Sequence, residues 1–374
     1  MIIAGFFIKK VSFAERNNKK IVRMRIVKML VILTVIGMVG CDAPSNVAKN
    51  ETATATEENG AADALRVGFY NVENLFDTKD EPNKPDEEFT PNGKNKWTNE
   101  RYEKKLNQLS KVIKAMEMPA ILGVCEVENE TVLKDLVKNA QIKDGNYGVA
   151  HRESNDYRGI DNALLYNKDR FEVTEVKNTV LKFPKAITEG RTYTSRDIFQ
   201  VTGVLDGTTT LHVFVNHFPS RRGGLKASEP KRTFVAAELL KQVAAVKAND
   251  KNAQIIIMGD FNDETDNKSI TEVLGAISEN TAKEDELVNC FADKDARDEG
   301  SYNYRGTWNM LDQIIISDNF FDESGLKYQN ATIFQQEWMM YNDKRNGATP
   351  SRTYGGPNYY GGFSDHLPVF IDLK

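Results

Sequence analysis

The sequence predicts an α/β protein, and three observations carry that expectation. Short continuous apolar runs, of the kind that form strands buried on both faces, alternate along the chain with stretches whose apolar residues recur at helical spacing. Interspersion of this kind builds layers of helix on sheet. Several of the runs begin or end on a carboxylate, an amide or an imidazole, groups that a strand does not need for its own stability. The composition is globular: of 374 residues 40% are hydrophobic and 28% charged, with only 3 Cys. This excludes collagen-like, disulfide-stapled and wholly disordered chains.

The chain opens on what reads as processing sequence. Met29 to Val39 is an apolar run of eleven residues behind Arg25 and Lys28, too short to span a bilayer and laid out like a secretory signal. Met38-Val39-Gly40-Cys41 resembles a bacterial lipobox, which implies export, lipid on Cys41 and a place on the outer membrane or cell surface, facing periplasm or medium. Met24 would open a more compact signal than Met1. Residues 1–40 hold 8 Lys and Arg against 1 acidic residue, so residues 41–374 carry 41 against 53, a net charge of −12. Nothing in that bulk charge advertises nucleic-acid binding, and a polyanion site must be local. Residues 41–63 are Ala, Thr, Glu and Asn with little to bury, and read as a flexible tether to a single domain over residues 64–374.

Within that domain Leu65, Val67 and Phe69 alternate with Arg66, Gly68 and Tyr70, a strand whose core face continues onto Asn71. Asp77 to Trp97 is a long polar loop with Pro82, Pro85 and Pro91, expected to be a lid or surface excursion. Thr98 caps a helix carrying the stripe Tyr102, Leu106, Leu109, Ile113 and Met116, which Pro119 stops. Ala120 to Cys125 is a buried strand ending on Glu126, and a helix follows near Thr131 to Ala140. Asn162 to Tyr166 and Leu211 to Val215 are strands, the second running into Asn216-His217. A helix from about Pro230 to Lys247, capped by Ser228, precedes Ile255 to Met258, which ends on Gly259-Asp260-Phe261-Asn262. Asp312 introduces Ile314 to Ile316, and Asp365-His366 introduces Leu367 to Leu373.

Asn71, Glu126, His217 and Asp260 thus follow strands, whereas Asp312 and His366 precede them. If the second group runs antiparallel to the first, all six collect at one edge of a mixed sheet. Oxygen donors without a Cys/His cluster suit a hard cation such as Mg²⁺, Mn²⁺ or Ca²⁺, and two distant imidazoles suit acid/base work or phosphate contact. Phosphoester hydrolysis uses this set of groups.

The segments Asn71-Val72-Glu73-Asn74, Gly123-Val124-Cys125-Glu126-Val127, Val215-Asn216-His217-Phe218-Pro219-Ser220, Gly259-Asp260-Phe261-Asn262-Asp263, Leu311-Asp312-Gln313 and Ser364-Asp365-His366 resemble the ordered motifs of the endonuclease/exonuclease/phosphatase superfamily. That resemblance implies a four-layer α/β/β/α sandwich with two mixed sheets and a divalent-metal phosphoesterase using Mg²⁺ or Mn²⁺. It implies that Glu126 is the principal metal ligand, with Asn71 and Asp365 close to the ion. Asp260 would align or deprotonate water, and Asn262 would position it. His366 would contact the phosphate, oriented by Asp312. His217 would hold a phosphate oxygen or protonate the leaving group, partnered by Asp161.

Other residues carry weaker readings. Cys125 stands where many family members have Gln and reads as a small buried side chain; a disulfide with Cys290 is not expected. Arg221, Arg222, Arg191 and Arg196 are offered as a local anion patch, and Tyr302, Tyr304 and Trp308 as rings that stack on a base or sugar. The Gly-bracketed Tyr359-Tyr360 loop reads as a mobile rim, and His151 and His212, outside the motifs, as structural. The expected substrate is a phosphodiester, foremost DNA or RNA, cleaved by a monomer. The alternatives are a phosphatase, a phospholipid phosphodiesterase of the sphingomyelinase or inositol-phosphate kind, and a catalytically silent binding lipoprotein.

Overall fold

Strands that are apolar on both faces need cover on both faces, and four layers supply it. The structure, a computed structural model, describes residues 65–374 except 83, 282–284 and 323–324. The expected signal, the lipidated Cys41 and the tether lie outside the described residues.

In chain order the elements are β1 (Leu65–Leu75), α1 (Asn99–Ala115), β2 (Ile121–Val127), α2 (Glu130–Val137), β3 (Tyr147–His151), β4 (Asp161–Asn167), β5 (Phe171–Thr179), β6 (Ile198–Leu205), β7 (Thr209–His217), α3 (Leu225–Asn249) and β8 (Gln254–Asp260). There follow β9 (Ala276–Ser278), β10 (Leu287–Asn289), β11 (Tyr302–Tyr304), β12 (Thr307–Asn309), β13 (Asp312–Ser317), β14 (Tyr328–Ile333), β15 (Met340–Asp343), β16 (Gly347–Pro350), β17 (Tyr354–Gly355), β18 (Asn358–Tyr359) and β19 (Val369–Leu373). One mixed sheet has the order β14-β19-β1-β2-β4-β3 and the other β5-β6-β7-β8-β13-β10-β9. The remaining strands form three small hairpins, β11-β12, β15-β16 and β17-β18.

Three apolar layers follow from the two-residue side-chain period. Val67, Phe69, Cys125 and Leu164 of the first sheet meet Val213, Val215, Ile256, Met258, Ile314 and Ile316 of the second between the sheets. The outer face of the first sheet, including Tyr70, Leu122 and Val124, packs on Leu109, Ile113 and Leu133 of α1 and α2. Phe214, Ile255 and Ile257 of the second pack on Val235, Leu239 and Val243 of α3. Cys125 and Cys290 are free thiols buried in the layer between the sheets.

Some boundaries move. Helix α2 starts at Glu130 because the Asn129 side chain accepts the Val132 N–H at 3.1 Å. Helix α3 starts at Leu225, so Pro230 lies inside it and Ser228 is not its cap. Pro230 removes only the bond to the carbonyl of Lys226, which is exposed to water. Ser228 Oγ instead donates to Gly224 O at 2.7 Å, and Arg232 reaches back to Leu225 O at 2.9 Å. The Asp77 to Trp97 loop is pinned rather than free: Phe76, Phe89, Trp97 and Ile160 form a satellite core, and Trp97 Nε1 donates to Phe76 O at 2.9 Å.

Candidate active site

Strand β1 runs parallel to β2, and β7 parallel to β8, so the four strand ends carrying Asn71, Glu126, His217 and Asp260 open in pairs. Strand β13 is antiparallel to β8, with Asp312 opposite Asp260, and β19 is antiparallel to β1. The segments that enter β13 and β19 therefore arrive at the same ends. The result is the facing ends of two sheets rather than one edge of a single sheet.

Alternation then decides which side chains meet. Asn71 continues the Val67-Phe69 face, His217 the Val213-Val215 face, Asp260 the Ile256-Met258 face and Asp312 the Ile314-Ile316 face, all of which look into the layer between the sheets. Glu126 has the wrong phase, because its alternate neighbour Val124 faces the helices. A bulge corrects this. Pairing of β1 with β2 lapses between Asn71 and Leu75, where Glu73, Asn74 and Glu126 take φ of 50°, 53° and 63°. Left-handed backbone at non-glycine residues costs energy and persists where surrounding structure enforces it, commonly at functional sites.

Asp260 sits at the centre. Its Oδ2 accepts Asn71 Nδ2 from across the layer at 3.1 Å, its Oδ1 accepts the Asn262 N–H at 2.9 Å, and Oδ2 lies 3.6 Å from His217 Nε2 and 3.9 Å from His366 Nε2. Asp312 Oδ2 is 2.7 Å from His366 Nδ1 and also accepts Ser301 Oγ. Glu126 Oε2 accepts the Asn74 N–H at 3.1 Å, while its Oε1 stands 3.9 Å from both His217 Nε2 and Arg158. Asn262 donates from Nδ2 to Phe218 O at 3.1 Å. Asp365 is half-buried, 3.4 Å from Arg352.

The electrostatics separate the two imidazoles. Burial opposes charge on His366, but Asp312 and Asp260 outweigh it and hold this imidazole well above its usual range. Burial, with Arg196, Arg158 and His366 adding to it, pushes His217 well below. Burial also pushes Asp260 up to about 7, against the opposing pull of His366. One imidazole is thus cationic and the other neutral around a carboxyl poised near neutrality.

Several expected site residues stand elsewhere. Asp161 does not partner His217: on β4 it shares the phase of Ala163 and Leu165, which face the helices, and it pairs with His151 Nε2 at 3.0 Å. Its neighbour Asn162 has the phase of Leu164, between the sheets, and donates to Asp197 O at 3.0 Å. Arg221 is not free for an anion; it donates to Asn262 O at 2.7 Å and Asn309 Oδ1 at 2.8 Å, clipping the loop that carries Asn262. Arg222 is exposed. Arg196 is buried, bonded to His217 O and Phe218 O and paired with Asp156 at 3.0 Å. Trp308 packs against the outer core of the first sheet, whereas Tyr304 is exposed. In the Gly-bracketed loop Arg101 stacks on the Tyr359 ring at 4.1 Å, whereas Tyr360 is exposed.

Two further groups escaped sequence reasoning. Glu73, in the bulge, accepts the Thr353 N–H at 2.6 Å and the Tyr354 N–H at 3.2 Å. Lys105 donates to Thr353 Oγ1 at 2.7 Å and Phe363 O at 2.6 Å, and together they fasten the loop before Asp365 to β1 and α1. The signal for Lys105 lay in its position, three after Tyr102 and four before Leu109, on the apolar stripe.

Residues 66–374 match the sequence profile of the Endonuclease/Exonuclease/phosphatase family. The chain belongs to that family. Its members are metal-dependent phosphoesterases, and this chain is an enzyme of that kind. No curated protein matches the sequence. Solved structures share the fold, among them three matched over 83% of this chain. A family member from Bacteroides thetaiotaomicron is 15% identical over 95% of its length, with a TM-score of 0.51. A mannosyl-6-phosphatase of the same organism is 17% identical over 99%, at 0.51. The human Nocturnin catalytic domain, with bound sulfate, is 17% identical over 94%, at 0.50.

The donor chemistry of this phosphoesterase fits a divalent ion. Asp260, Asp312 and His366 offer ligand atoms within 4.8 Å of one another. Glu126 Oε1 has Arg158 and the neutral His217 no nearer than 3.9 Å, and one oxygen of Asp312 is buried without a hydrogen-bond partner. Carboxylate and amide oxygens suit a hard cation.

Proposed function

We propose that this phosphoesterase is a Mg²⁺-dependent phosphodiesterase that cleaves nucleic acid, exported and held to a membrane by lipid on Cys41. The observation that carries the catalytic reading is the buried Asp260 carboxyl flanked by a cationic His366 and a neutral His217. Asp260, held by Asn71 and Asn262, aligns the attacking water and takes its proton as the new P–O bond forms and the ester P–O bond breaks, the departing oxygen taking a proton from solvent water. His366, its Nδ1 proton held by Asp312, gives a charged hydrogen bond to a phosphate oxygen, which strengthens as charge develops. Neutral His217 gives a second hydrogen bond to phosphate. Glu126, Asn71 and Asp365 are the residues to hold Mg²⁺ or Mn²⁺, which when bound neutralises charge on the phosphate oxygens.

Nucleic acid is favoured because the flank of the site displays tyrosine and arginine. Among the described residues no helix is long and apolar enough to cross a membrane, so the anchor in this reading is the N-terminal lipid. The test is a panel assay of the purified chain with Mg²⁺ on plasmid, RNA, single-stranded oligonucleotide, sphingomyelin and small phosphomonoesters. Nicking or shortening of nucleic acid ahead of the others is expected; preference for sphingomyelin or phosphomonoesters overturns the substrate reading. Replacing Cys41 with Ser should move the protein from membrane to soluble fraction, and a wild-type protein already soluble overturns the anchor.

A further inference from the structure

Eight large hydrophobic side chains stand exposed among the described residues, and three of them, Tyr304, Tyr341 and Tyr360, line one cavity of about 580 Å³. Aromatic rings left bare and gathered in a concavity of this size mark a ligand surface rather than unfinished packing. The three come from separate pieces of chain: Tyr304 ends β11, Tyr341 lies on β15 and Tyr360 follows β18. Arg305 extends the surface, its guanidinium 5.2 Å from the centre of the Tyr304 ring.

The cavity shares a wall with the catalytic centre. Tyr302 lines it and also lies against His366, the two rings 4.7 Å apart. Arg352 lines it too, 3.4 Å from Asp365. A phosphate held by His366 would therefore lie next to the Tyr302 ring that walls the aromatic cavity. Charge in the lining is cationic on balance, Arg305 and Arg352 against Asp343, and the Asp343 Oδ1 is already taken by the N–H groups of Arg345 and Asn346 at 2.8 Å each.

We infer that this cavity is a nucleoside subsite, which stacks the base of the nucleotide whose phosphate lies at His366. The inference rests on the reading of the protein as a nucleic-acid phosphodiesterase and makes it narrower. A base can enter a cavity only when it is unpaired, so the substrates are single-stranded segments and frayed or terminal nucleotides rather than intact duplex. Stacking is indifferent to base identity, because each base has an aromatic face.

The test is direct binding of two ligands that share a phosphate and a ribose, adenosine 5′-monophosphate and ribose 5-phosphate, titrated into the full chain with metal withheld so that nothing turns over. Adenosine 5′-monophosphate should bind roughly 5- to 100-fold more tightly, the span that base stacking on aromatic side chains confers. Tyr341→Ala and Tyr304→Ala, two exposed positions on different hairpins, should each shrink that advantage, with thermal unfolding confirming that the variants fold. Equal affinity for the two ligands, tighter binding of ribose 5-phosphate, no binding of the nucleotide at millimolar concentration, or an advantage that survives both substitutions overturns the subsite, even if nucleic acid is cleaved. A nucleotide advantage that both substitutions remove, in a chain that hydrolyses no nucleic acid, upholds the subsite and overturns the phosphodiesterase reading instead.

Discussion

His366 is cationic in a buried place because carboxylates surround it, foremost Asp312, 2.7 Å from Nδ1, and then Asp260. The contact is catalytic in kind if it strengthens in the transition state, and its loss should then lower kcat more than it raises KM. His366→Ala is expected to lose at least about 100-fold in kcat, and Asp312→Asn less because the ring remains, with circular dichroism unchanged. Wild-type turnover in both variants would mean that the active-site map is wrong. Glu128 makes a different point about buried carboxyls. Its Oε2 accepts the Asp77 N–H at 2.7 Å, its other oxygen meets no donor, and burial, with the Asp77 and Asp86 carboxyls adding to it, pushes its pKa up to about 8 from 4.5. A carboxyl whose pKa is raised by folding costs nothing below its unfolded value and destabilises progressively as pH climbs to the folded value. Glu128→Gln should therefore melt close to wild type near pH 4 and increasingly above it toward pH 9, since a tenfold change in proton affinity on folding corresponds to about 1.4 kcal/mol. Melting temperatures that differ by the same amount at every pH would refute this account.

Strands whose two faces are both covered announce themselves as apolar runs, so β1, β2, β4, β7, β8, β13 and β19 were legible, and with them the polar residues at their ends. The edge strand β5 was not: its sequence alternates Glu, Thr and Lys with few buried positions, and its pairing with β6 is a tertiary fact. The hairpins β15-β16 and β17-β18, four and two residues per strand, carry no period long enough to read, and they supply walls of the tyrosine cavity. Phase was the other blind spot. Asp161 and Asn162 are adjacent, and only the register of β4 against β2, with Asn162 opposite Cys125, says which one faces the layer between the sheets. Close strand approach matters to the site as well. A Cβ on Gly259 would lie 2.3 Å from the backbone oxygen of Asn216, its ladder partner, one residue before the Asp260-His217 pair. A Cβ on Gly123 would instead meet the thioether of Met258 at 2.4 Å, a side chain that can turn away. Gly259→Ala should cost roughly 1–3 kcal/mol and lower kcat, because β7 and β8 must part. Gly123→Ala should lose less of both in denaturation and rate measurements; a Gly259→Ala protein with wild-type kcat would show that the spacing of Asp260 and His217 tolerates this strain.

At the scale of the molecule the active site is a concentration of negative charge in a chain of net charge −5. Substrate affinity must come from local groups and a bound cation, because distant charges are screened within about 10 Å at ordinary salt. The same concentration has a cost in stability that metal should relieve. Burial pushes Asp260 and Glu73 each up to about 7, with Asp312 adding to the first and Asp365 to the second. Both groups are raised above their unfolded values, so the metal-free fold loses stability as pH rises from about 4 to about 7, where unfolded carboxylates have ionised and these two have not. A divalent ion among the carboxylates favours their charged forms and releases protons as it binds. Mg²⁺ should therefore raise the melting temperature more at pH 8 than at pH 5, in proportion to saturation, with about 2.7 kcal/mol expected at a hundredfold excess over its dissociation constant. EDTA should abolish turnover and reverse the shift, and Glu126→Gln should lose most of both, since Glu126 is the carboxylate offered to the ion without a close cationic partner. If the chelated protein melts with the Mg²⁺-loaded protein at pH 8 and keeps its activity, the carboxylates are not a metal site, and the raised pKa of Asp260 must be explained by the protein alone.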